Sequence, residues 1–242
     1  MESNKTNFYE KEISELKEGL TPFPEHIFIE DQYWLSKYLL PLISIDLGIL
    51  RTDLKGTIVH ILNPTEPAEG IIGEQTTDFH NEFCTENWIA FRLTQDNKYS
   101  FLGNENYFLS ASIHKDQVDD EFTEHIQTIQ ENYQKAKAKF KMKGQLLPWQ
   151  DENPQSFLDT LGGEMWYGNW TNTAPIPSAF EMDIDETTEN LPNEGISISY
   201  KGKELMYVGK VAGYSYCGAG ADAILMFYEP ENRIVLFTYD WT

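Results

Sequence analysis

Between Gly144 and Tyr200 the chain runs 57 residues without a lysine or arginine, while ten acids fall in the same stretch. The whole sequence shares this poverty of bases: 18 Lys and Arg stand against 39 Asp and Glu, a net charge of -21. Such a chain repels nucleic acid and anionic lipid. Its natural partners are cationic, either basic proteins or metal ions; the plainer reading is that the acidity only keeps the protein soluble. Cysteine is scarce too. Two residues, Cys84 and Cys217, make no disulfide framework and fit reduced thiols in a cytosol. Long apolar runs are missing: the longest, 39–50, is interrupted by Pro41, Asp46 and Gly48, short of the ~20 residues a bilayer requires. The amino end lacks the apolar core of a secretion signal, so a soluble, cytoplasmic protein without a membrane partner is expected.

Motifs of catalysis are also lacking. His80 and Cys84 are four apart, but zinc needs three or four ligands and no second pair lies nearby. Around Asp183, Asp185 and Glu186 the alternating oxygens suggest calcium, yet the glycine an EF-hand needs is missing. Cys217 stands where the second glycine of a nucleophile elbow around Ser215 belongs. Gly218-Ala219-Gly220 has neither a third glycine nor a following lysine, so it is neither a dinucleotide nor a phosphate loop. His60 in an apolar strand and His125 beside a helix stripe read as structural. The expectation is no catalytic residue, no metal and no cofactor.

What is present is a substantial core. Apolar residues make up 40% and aromatics 14%. Two nearly continuous apolar runs, 224–228 and 234–239, are joined by Glu229-Pro230-Glu231-Asn232-Arg233 and predict a hairpin of central strands covered on both faces. Asn232 is the residue there expected to tolerate a left-handed backbone. Spacings of three and four from Val118 to Phe140 predict a long helix over 116–143, acidic at its start, lysine-rich at its end and closed by Gly144. A helix lying across a sheet is favoured over a coiled-coil seam. Short helices are expected at 9–20 and 31–40, the latter ended by Pro41, and another is expected to start at Asn153-Pro154. Strands are expected at 57–62, 88–93, 99–102, 107–113, 180–184, 196–200 and 205–208. The fold class is α+β: a mostly antiparallel β core, one long helix packed on it and short N-terminal helices, in a single domain over 1–242.

The run YVGKVAGYSYCGAGADAILMFYEPENRIVLFTYDW resembles the end of the YwqG-like family of bacterial proteins, and LGGEMWYGNW is similar to that family's "LGG … W" segment. The matches cover the last third of the chain; the amino half shows none. The resemblance implies a compact, strand-rich unit with no established enzyme activity. It also implies a place beside bacterial toxin systems, where members look like immunity proteins. The leading expectation is therefore a non-enzymatic immunity protein that binds and neutralises a cognate basic toxin. Its contacts are expected from Asp183, Asp185, Glu186, Glu189 and Glu194, with Trp166, Tyr167 and Trp170 as aromatic anchors. The alternative is a carbohydrate or small-ligand module in which Trp166 and Trp170 form a platform; a third is a hydrolase whose residues escape recognition. Against both uses of the aromatics, at least one of these Trp residues is expected to fill the core.

Overall fold

The computed structural model describes residues 8–148, 153–163, 165, 168–184 and 195–241. Its centre is a seven-stranded antiparallel sheet. In chain order these strands are β1 (Tyr9–Ile13), β5 (Trp88–Leu93), β6 (Tyr99–Phe101), β7 (Leu158–Gly162), β11 (Met206–Val211), β12 (Ala223–Glu229) and β13 (Ile234–Asp240). They lie in the order β1-β7-β11-β12-β13-β5-β6. The expected hairpin sits in the middle, with Ile224 opposite Tyr239 and Phe227 opposite Leu236.

The side-chain period of two explains why these strands are apolar without a break. Ile224, Met226, Tyr228, Val235, Phe237 and Tyr239 enter one core. Leu225, Phe227, Ile234 and Leu236 enter a second core on the opposite face. Into the first core pack the sheet of β2 (Leu20–Pro22), β3 (Leu39–Asp46) and β4 (Ile58–Pro64), and a long helix. Into the second packs the sheet of β8 (Phe180–Ile184), β9 (Ile196–Tyr200) and β10 (Lys203–Glu204).

The long helix, α1 (Asp120–Lys143), has 24 residues. It begins four residues later than the spacing predicts, because the Asp119 carboxylate accepts from the Phe122 N–H at 2.8 Å and so caps it. Gly144, at φ 68°, ends it as expected. Of its stripe only the middle, Ile129, Tyr133 and Ala136, is fully buried, while Phe140 is half-buried against the same core. The Tyr133 hydroxyl donates to the Pro41 carbonyl at 2.6 Å and ties the helix to β3.

Several expected elements take another form. The segment 9–20 is not a helix: β1 pairs with β7 instead, and Leu16 is 41% exposed, so the apparent stripe through Ile13, Leu16 and Leu20 is no buried face. In place of an α-helix over 31–40 there is a 3-10 segment, Glu30–Lys37, kinked at Gln32. Pro41 does not terminate it but lies inside β3, at the bulge where the register to β4 shifts between Pro41 and Ile43. A proline, having no N–H to donate, is tolerated at such a break. The strand expected at 107–113 is a pair of 3-10 turns, Glu105–Tyr107 and Ser112–His114, the first capped by the Asn104 side chain. No helix follows Asn153-Pro154; the chain proceeds into β7. At the β12–β13 turn the left-handed residue is Arg233, at φ 55°, rather than Asn232. Asn232 instead donates through its backbone and side chain to the buried Glu229 carboxylate, both at 2.7 Å.

Two one-turn helices complete the elements used below, α2 (Trp170–Thr173) and α3 (Tyr214–Cys217). Among the described residues no helix is long and apolar enough to cross a membrane.

Candidate functional site

Within the acidic stretch, β8 carries two acids on one strand. Phe180 points into the second core and is buried, while Glu181 and Asp183 alternate outward and are exposed. Among the described residues β8 pairs on one side, with β9, so Asp183 stands on an outer strand of its sheet. The other expected partner-binding acids, Asp185, Glu186, Glu189 and Glu194, lie outside the described residues, as do Trp166 and Tyr167.

Trp170 is described, and it is not a surface anchor. It is 1% exposed, with its ring centroid 6.0 Å from those of both Trp88 and Phe227. α2 carries it inward as a wedge of the second core, so its truncation acts on stability and not on a partner's dissociation. The physical reason is plain: a large ring at the start of a one-turn helix, beside Trp88 of β5 and Phe227 of β12, gains more from burial than from solvent.

The residues weighed for catalysis sit as follows. Ser215 and Cys217 are buried on α3. Burial pushes the Cys217 thiol well above its usual range, and its sulfur lies 3.7 Å from Asn63 Nδ2. The Cys84 thiol is likewise pushed up, to about 12, by burial. His80 does not share a helix face with Cys84; its Nε2 lies 2.9 Å from the Gly73 carbonyl. Among the described residues no three His, Cys, Asp or Glu side chains converge as metal ligands.

His60 has a defined tautomer. Its Nε2 is 2.8 Å from the Asn97 carbonyl, which can only accept, so Nε2 carries the proton. Nδ1 then accepts from the Ser44 hydroxyl at 2.7 Å. Burial holds its pKa down at about 4, and the ring stays neutral. The Tyr99 hydroxyl braces the same residue, accepting from its N–H at 2.6 Å and donating to its carbonyl at 2.9 Å. This is a structural network joining β4 to β6.

Two buried carboxylates carry no motif in the sequence. Glu66, 2% exposed, accepts from the backbone N–H groups of Leu109 and Ser110 and from the Ser110 hydroxyl. Burial raises its pKa despite these bonds. Glu229 closes the β12–β13 turn as described above. Each satisfies backbone N–H groups of a loop: Glu229 serves its own turn, whereas Glu66 serves a segment 43 and 44 residues away, a pairing that leaves no local signature.

No family model, curated protein or solved structure matches the chain.

Proposed function

We propose that this is a non-enzymatic interaction protein that binds a cationic protein, and specifically an immunity-type protein that neutralises a basic bacterial toxin. The observation that carries the reading is charge. A net -21 leaves most acids without a base to neutralise them, and the base-free stretch places Glu181 and Asp183 outward on an outer strand. A surface of one sign steers an oppositely charged protein into encounter. The toxin assignment rests on the resemblance of the last third to YwqG-like proteins. Trp166 and Tyr167 remain the proposed aromatic anchors, and Asp185, Glu186, Glu189 and Glu194 join Asp183 in the proposed rim.

The test is direct. The product of the adjacent gene is purified and titrated against the protein by calorimetry, and its toxicity is measured with and without co-expression. Submicromolar, salt-sensitive binding together with rescue of growth is expected. Absence of both from a demonstrably toxic, basic neighbour overturns the reading.

A further inference from the structure

A hollow of about 480 Å³ opens beside α2, lined by Gly168, Asn169, Asn172, Thr173 and Trp241. Its aromatic wall is pre-set. The Trp241 indole N–H donates to the Asn87 side-chain oxygen at 2.8 Å, and Asn87 is fully buried, donating in turn to the Tyr239 carbonyl at 2.6 Å. The partly exposed indole is therefore fixed in orientation before any ligand arrives. Opposite in character, Asn169, Asn172 and Thr173 are exposed polar side chains on one short turn.

Asp240 stands behind Gly168: a Cβ at that glycine would come within 2.7 Å of its Oδ2. Among the described residues its other oxygen, Oδ1, is sealed from solvent without a hydrogen-bond partner. Burial and the nearby Asp222 raise its pKa. None of the described lining residues is a base, so the hollow is not built for an anion.

The geometry points to a saccharide site, in which the apolar face of a neutral sugar ring stacks on Trp241 while its hydroxyls bond the Asn169, Asn172 and Thr173 side chains. An indole offers a broad apolar face, and amides both donate and accept, which matches vicinal hydroxyls. Trp170 is in the core and takes no part in this site, and the proposal stands independently of the toxin reading.

The experiment screens the full-length protein against an array of neutral mono- and oligosaccharides, then titrates the strongest sugar by calorimetry. Binding is expected, with Trp241→Ala weakening it at least tenfold. Because Trp241 also packs on the first core, the double variant Asn169→Ala/Asn172→Ala is measured alongside it. That variant alters only exposed polar groups, so it is expected to keep the native circular dichroism spectrum and lose affinity at least fivefold. An array without a binder overturns the proposal, as does a sugar whose affinity the double variant leaves unchanged.

Discussion

Lowering the pH from 7 to 5 is expected to destabilise the protein through His60. The ring is neutral in the fold with a pKa of about 4, against 6.5 for the free side chain. The folded pKa is depressed, so between these values the unfolded chain binds the proton that the native state refuses. Stability from this group is complete above pH 6.5 and is lost as pH falls toward 4. Between pH 7 and pH 5 the linkage amounts to about 2 kcal/mol. The buried Glu66 and the half-buried Asp159 act in the opposite sense: desolvation raises the pKa of each, which favours the fold at lower pH. The total pH profile therefore mixes signs, and a difference is needed. Urea unfolding of the wild type and His60→Gln at pH 7 and pH 5 supplies it. The advantage of the wild type over the variant should shrink by about 2 kcal/mol at the lower pH. An advantage that is the same at both values refutes the argument, and with it the assignment of a neutral, Nε2-protonated His60.

Three further outcomes follow from the core. Leu225→Asp places a carboxylate at a position 2% exposed in the second core and should cost at least ~3 kcal/mol, abolishing the cooperative thermal transition in circular dichroism. Gly209→Ala should cost about 2 kcal/mol by denaturant unfolding, because the new Cβ would lie 2.4 Å from the Thr160 carbonyl oxygen of the neighbouring strand. Cys84 and Cys217 should resist a disulfide-exchange reagent at pH 8 and react fully only in denaturant, since burial raises both thiols; fast labelling of either in the native state contradicts their placement.

The central hairpin was legible because β12 and β13 are covered on both faces, so nothing interrupts the apolar run. Legibility failed where long-range pairing overrides local pattern. Ile13, Leu16 and Leu20 carry a helical spacing, but the partner that makes 9–13 a strand is β7, more than a hundred residues away. Pro41 reads locally as a stop, yet a bulge in β3 accommodates it. Of the candidate site, the outward acids of β8 follow from simple alternation. Trp170 does not, because its burial depends on Trp88 and Phe227 from other strands. The Trp241 hollow was missed because its wall is fixed by Asn87, and no short motif links two residues so far apart in sequence.

The claim that acidic residues of the base-free stretch guide a cationic partner is tested most directly by association kinetics. Stopped-flow measurement with the adjacent gene product, at 50 mM and 300 mM salt by choice, compares the wild type with Asp183→Asn, Asp185→Asn, Glu186→Gln and Glu189→Gln combined. The wild-type association rate should fall at least tenfold between the two salts, and the combined variant should associate slowly at both, with its dissociation rate nearly unchanged. An association rate and salt dependence equal to the wild type's would contradict the account and leave these acids as a solvated surface.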